Sequence, residues 1–145
     1  MAPKVKADKD TPLSVSELQK SEQILRAAFN TSQELISVST IFGEFVEVNS
    51  AFCEACGKTR DELVGTSGGA TTLWVDLGKR EEFLQILGRE GSVSCFKADM
   101  RHANGQIHNC LLSARVLKVG GAPLVLAIAQ DVSNAAIVAC PPLSF

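Results

Sequence analysis

Apolar side chains at Leu18, Ile24, Leu25, Ala28 and Phe29 fall on one face of a helix, while Glu17, Lys20, Glu22 and Arg26 lie largely outside it. Ser14-x-x-Glu17 and Ser16-x-x-Gln19 both have capping-box spacing, in which a hydroxyl bonds an orphan amide and the side chain three residues on reaches back. A helix is therefore predicted over residues 14–30. Residues 1–13 are polar, charged and proline-bearing, show no hydrophobic periodicity, and read as a disordered tail.

Beyond the helix the period shortens. Glu34 to Thr40 and Glu44 to Val48 are short β-branched stretches joined near Gly43, which predicts a hairpin. Ser50 to Cys56 fits a short helix stopped by Gly57, and Thr59-x-x-Glu62 is a further capping box whose helix ends at Gly65. A flexible bridge, Ser67-Gly68-Gly69-Ala70, leads to Leu73, Trp74 and Val75. A helix from about Lys79 to Arg89 follows, with Phe83, Leu84 and Leu87 expected inward. Three strands come last: Ser92 to His102, Gln106 to Lys118 and Pro123 to Val132. Their turns contain Asn104-Gly105 and Gly120-Gly121, residues that readily supply the positive φ a tight hairpin needs. Two leading strands, a helical middle and three trailing strands suit an antiparallel sheet with helices on one face.

The run Val48-Asn49-Ser50-Ala51-Phe52 through Gly57-Lys58-Thr59-Arg60-Asp61-Glu62-Leu63-Val64-Gly65 resembles the front half of a PAS domain, and Asp131-Val132-Ser133 looks like the sequence that closes that family's last strand. The resemblance covers roughly Ser21 to Ser133. It implies an α+β PAS fold: a five-stranded antiparallel sheet with helices on one face and an N-terminal helical cap. On that reading, residues 1–13 are the tail, 14–30 the cap helix, 31–133 the PAS domain and 134–145 a C-terminal tail. With Pro141-Pro142, that tail does not continue as the coiled-coil linker by which PAS domains often drive an attached enzyme, so either the sensor stands free or the chain is a piece of a larger one.

Strand alternation and the family pattern together divide the sheet into two faces. Phe96, Ala98 and Met100 are expected inward, as are His108, Cys110, Leu112, Ala114, Val116, Val125, Ala127 and Ala129. Of these, Phe96, Ala98, Met100, His108, Cys110, Leu112, Ala127 and Ala129, with Phe52, Leu63, Trp74 and Phe83 from the helical side, would enclose a pocket for a small, mostly apolar ligand. The small side chains Ala98, Ala114, Ala127 and Ala129 leave volume that either a guest or neighbouring side chains must fill. Leu111, Leu124, Leu126 and Ile128 would lie on the outer face. A sheet apolar on both sides needs cover on both, so Leu18, Leu25 and Phe29 of the cap helix, together with Leu124, Leu126 and Ile128, are the candidate dimer interface.

Cys53-x-x-Cys56 invites a thiol redox or metal reading. However, the pair lies near the end of a short helix rather than at its N-terminus, and Cys95, Cys110, His102 and His108 are too scattered to complete a zinc site. His102 reads as a solvated turn residue; His108 reads as a core histidine or a ligand contact. The cofactor branches of the family do not fit. Thr66-Ser67-Gly68-Gly69 stands where a photoactive cysteine motif would be, and Met100, Cys110 and Ala129 stand where flavin-binding amides would be. The helix 79–90 has no histidine for haem, Gly57 replaces the histidine of a covalent haem motif, and the chain has no tyrosine. No cofactor, no metal and no catalytic constellation are expected.

Composition narrows the partners. One domain of 145 residues with 46% hydrophobic content can form one ordinary core, and 14 basic against 16 acidic side chains, interspersed, give a net charge of −2 with no field for nucleic acid. No apolar run spans a membrane, and the N-terminus lacks a signal peptide's apolar core. Five cysteines without secretory context predict reduced thiols in a cytoplasmic protein. The expected function is that of a sensory PAS domain in bacterial signal transduction, of the two-component type. It would bind a small ligand, dimerise and relay a signal to an effector, and catalyse no reaction. The alternatives are a ligand-free dimerisation module and a thiol redox protein using Cys53 and Cys56.

Overall fold

The computed structural model describes residues 14–67 and 72–133. The expected tails over 1–13 and 134–145, and most of the glycine bridge, lie outside the described residues. Helix α1 (Val15–Thr31) begins where Ser14 Oγ accepts a hydrogen bond from the Glu17 amide. Strands β1 (Leu35–Thr40) and β2 (Phe45–Val48) form the first hairpin. Helix α2 (Ser50–Cys56) ends at Gly57 in the left-handed conformation, and α3 (Arg60–Leu63) carries the complete Thr59/Glu62 capping box. Helix α4 (Leu77–Glu90) precedes β3 (Ser92–Arg101), β4 (Ile107–Val119) and β5 (Ala122–Asp131).

The five strands form one antiparallel sheet in the order β2-β1-β5-β4-β3. The last strand in sequence therefore lies at the centre of the sheet. Its inner face meets α2, α3 and α4, and the buried residues between them make one hydrophobic cluster. The α+β architecture expected from the resemblance is the one observed.

Three local details depart from the sequence reading. Helix α4 starts earlier than the periodicity indicates, because the Asp76 carboxylate caps the Gly78 and Lys79 amides. Leu84 is 39% exposed rather than inward; Phe83 and Leu87 are buried, and Ile86 packs beside them. In β3 a bulge falls between Val93 and Phe96, with Cys95 at φ +54, and it reverses the strand's phase so that Val93 and Phe96 both face the core.

Asn49 ties the N-terminal elements together. It is 0% exposed, and its side chain is fully used. Oδ1 accepts from the amides of Ile36 and Phe52, at 3.1 and 3.0 Å, while Nδ2 donates to the carbonyls of Phe29 and Glu34, at 3.0 and 2.9 Å. One amide group thus caps α2 and anchors both β1 and the end of α1. Asn30 adds a second link, accepting from the Ser50 amide and hydroxyl.

Candidate functional site

Sheet register places the expected pocket residues side by side on the inner face. Phe96 pairs with Leu112, Ala98 with Cys110, Leu112 with Ala129 and Ala114 with Ala127. The opposite wall is built by Phe52 of α2, Leu63 of α3 and Phe83 of α4. Trp74 belongs to the segment before α4, where it forms an isolated bridge with Met100; Val75 N donates to Asp99 O and Arg101 N donates to Leu73 O, at 3.2 and 2.7 Å. These backbone bonds hold the indole against the sheet. Trp74, Phe83 and Phe96 form a chain of aromatic contacts with centroid separations of 5.6 and 5.4 Å, and Lys79 Nζ lies 5.9 Å from the Phe96 ring centre.

Phe52, Leu63, Trp74, Phe83, Ala98, Met100, Cys110, Leu112 and Ala129 are buried in the common cluster, with Phe96 and Ala127 partly buried against it. Polar groups are nearly absent from this layer. Ser37, buried opposite Ala127, brings a hydroxyl to it; Cys110 is buried as well, and burial pushes its thiol up to about 12, helped by the carboxylates of Asp131 and Asp99. The site's chemistry is accordingly that of apolar contact rather than of proton transfer.

His108 stands apart from the other pocket candidates. It lies at the start of β4, half-buried, with Nδ1 2.6 Å from Asp131 Oδ2 and its ring stacked on His102 at a centroid distance of 4.0 Å. His102 is half-buried as well, contrary to the solvated turn expected of it. The signal lay in the alternation: Met100 pairs with His108, and His102 is two residues beyond Met100 on the same face, so the two imidazoles are diagonal neighbours across the hairpin.

The two thiols of the C-x-x-C pair sit on α2 and pack against the core. Burial raises Cys53, and raises Cys56 to about 11, so both are held as thiols near neutral pH. Cys110 is likewise free, whereas Cys95 is disulfide-bonded, which departs from the expectation of reduced thiols throughout. Among the described residues no group of three or more His, Cys, Asp or Glu side chains is arranged to hold a metal ion. No described helix is long and apolar enough to cross a membrane.

The candidate interface residues divide into two patches. Leu18 and Leu25 are 52% and 69% exposed on α1, and Phe29 is half-buried at its end; Leu124, Leu126 and Ile128 are half-buried on the outer face of β5. The principal neighbour of α1 is α2, with Arg26 reaching Glu47 at 3.6 Å, and α1 does not bury its apolar residues on the sheet.

The fold has many solved counterparts. A PAS domain of an HTR-like protein from Haloarcula marismortui is 22% identical, with a TM-score of 0.65 over 80% of this chain and 95% of that one. A domain of a sensory box sensor histidine kinase/response regulator from Geobacter sulfurreducens is 28% identical, with a TM-score of 0.60 over 81% of this chain and all of that one. A PAS domain crystallised in complex with ethanol, from a LuxR-family transcriptional regulator of Burkholderia thailandensis, is 18% identical, with a TM-score of 0.56 over 74% of this chain and 96% of that one. No curated protein sequence matches the chain. The PAS domain profile matches residues 33–134, the whole sheet and all the helices packed on it, and on that match the chain belongs to the PAS domain family.

Proposed function

We propose that this PAS domain is a cytoplasmic signalling module of the bacterial two-component type. It would work by self-association and take a small, mostly apolar guest between sheet and helices, with no reaction, cofactor or metal of its own. The observation that carries the reading is α1: a 17-residue helix with no buried residue, presenting Leu18, Ile24 and Leu25 to solvent, in a domain whose outer sheet face carries a second apolar patch at Leu124, Leu126 and Ile128. An apolar stripe of this kind is costly to leave wet and is normally covered by a partner. A second copy of the chain covers both patches with groups of the same chemistry.

The guest is supported by the inner face, where Ala98, Ala114, Ala127 and Ala129 offer little bulk opposite the aromatic wall. The ethanol complex of the Burkholderia domain shows a fold of this class accompanied by a small molecule of that kind. The redox alternative draws no support from Cys53 and Cys56, because raised thiols make poor nucleophiles.

Native mass spectrometry tests both parts at once. The expected spectrum shows a dimer and, after gentle extraction, a retained small molecule. Leu18→Glu combined with Leu25→Glu should yield a folded monomer, since neither side chain is buried within one chain, with an unfolding midpoint that no longer depends on protein concentration. A parent protein that is monomeric at tens of micromolar would overturn the self-association reading. Repeated recovery of an empty domain would leave the dimerisation module without a guest. A stoichiometric flavin or haem absorption band would refute the cofactor-free reading.

A further inference from the structure

The stacked histidines sit at a mechanically significant place. Asp131 closes β5, and its carboxylate is divided between two tasks: Oδ1 accepts from the Ser133 amide at 2.9 Å, and Oδ2 faces His108 Nδ1 at 2.6 Å. Ser133 Oγ in turn accepts from the Asn109 amide at 2.9 Å, and the Val132 amide donates to Asn109 O at 2.8 Å. The end of the central strand is thus fastened to the start of β4 through groups that touch His108.

The two rings are 4.0 Å apart and 23° from parallel, and the Nε2 atoms of both are buried without a hydrogen-bond partner. His108 faces the Asp131 carboxylate directly through Nδ1, and His102 does not. A proton added to His102 has no such partner: it sets a cation face to face with the neighbouring imidazole, and the buried Nε2 has no acceptor to receive an N–H. Burial and the neighbouring His108 hold His102 below the ordinary histidine range, with Asp131 opposing them only in part. Among the described residues, His108 and Asp131 are the charges that act on it. Asp99 and Arg101 of β3 are exposed at alternate positions; Cys110 of β4 is a neutral thiol; on the α2 side, Cys56 is a thiol and Lys58 is exposed past Gly57.

We propose that His102, His108 and Asp131 form a proton-operated latch. With His102 neutral, the end of β5 is fastened to β4; a proton added to His102 parts the rings and frees the strand end from which the chain leaves the sheet. The sign follows from linkage. A histidine lowered on folding contributes stability that is complete above its ordinary value and is lost as pH falls through the lowered one. The latch therefore opens on mild acidification, whether or not the interior holds a guest.

Amide hydrogen exchange read by NMR at pH 7.5 and 5.0, corrected for intrinsic rates, tests the latch in the full chain. Protection at Asn109 and Val132 should fall about tenfold or more in the parent protein, while amides of the β1/β5 pair keep theirs. His102→Phe preserves a stacked ring that takes no proton, and should hold protection at those two amides constant across the range. Parent amides that ignore pH, or a His102→Phe variant that loses protection as the parent does, would overturn the proposal. If His102→Phe does not fold, the imidazole nitrogen shifts of the parent decide. Two separated steps, each visible in both rings, support the latch; two independent steps near the ordinary histidine value sink it.

Discussion

Replacing Asn49 tests whether one side chain couples α1, β1 and α2. Alanine removes the cap of α2, a loss of about 1 kcal/mol. It also strips a partner from the Ile36 amide and from the Phe29 and Glu34 carbonyls. Each such group costs ~1–3 kcal/mol when water cannot replace the bond, and the lower end applies here because these three contacts are only partly buried. Asn49→Ala should therefore destabilise the domain by about 3–4 kcal/mol. With a urea slope of ~2 kcal/mol/M, the unfolding midpoint should fall by about 1.5–2 M. Asn49→Asp separates capping from bridging. Aspartate caps as well as asparagine and keeps both acceptor bonds, but it has no donors and turns a carboxylate toward two carbonyl oxygens. Comparable losses for both variants are expected by chemical denaturation. An aspartate variant as stable as the parent would mean that the two Nδ2 bonds, to Phe29 and Glu34, add nothing.

Three further predictions concern other parts of the molecule. Gly57→Ala should cost about 2 kcal/mol or more, because φ is +68 and a new Cβ would stand 2.7 Å from Ala103 Cβ. Gly43→Ala, at φ +90 with nothing within 4 Å, should cost about half as much, and equal urea midpoints for the two variants would refute the steric part. Ala127→Leu should abolish guest retention with little loss of stability if the interior has room; a drop of ~1–3 kcal/mol, with no guest ever recovered from the parent, would show a filled core. The Arg60 guanidinium, at 2.9 and 2.8 Å, holds the Glu47 carboxyl below the usual carboxylate range. The stability this adds is complete above that range and is lost as pH falls through the lowered value. Unfolding midpoints of the parent and Arg60→Ala should therefore converge in acid, and a constant gap at every pH would contradict this origin.

What could be read from sequence was governed by local chemistry. Ser14, Thr59 with Glu62, and Gly57 act within one turn of themselves, so their residue types disclose where helices start and stop. Alternation located the inward Ala98 and Met100 for the same reason, and the family pattern located Cys110 and Leu112. The misses arise where distant parts decide. Leu84 and Ile86 are both apolar, and only docking on the sheet selects which one turns inward. At the bulge that turns both Val93 and Phe96 inward, Ser113 Oγ takes the Cys95 amide, a bond between residues far apart in sequence. The His102–His108 stack needs a hairpin register, and its link to Asp131 needs a third strand, so composition around either histidine could not reveal it.

The central position of β5 sets a timetable for synthesis. Leu35 pairs with Ala129, and Ala114 pairs with Ala127, so β1 and β4 have no shared neighbour until the last strand has been made. A ribosome that has released α1 through β4 presents two half-sheets, each with a bare edge and an apolar face, and neither can close its core alone. Pairings of such long sequence separation are also slow to form. Chaperone occupancy should thus persist until β5 clears the exit tunnel and then fall abruptly, and a stall or premature stop just before Ala122 should be far more aggregation-prone than one just after Ser133.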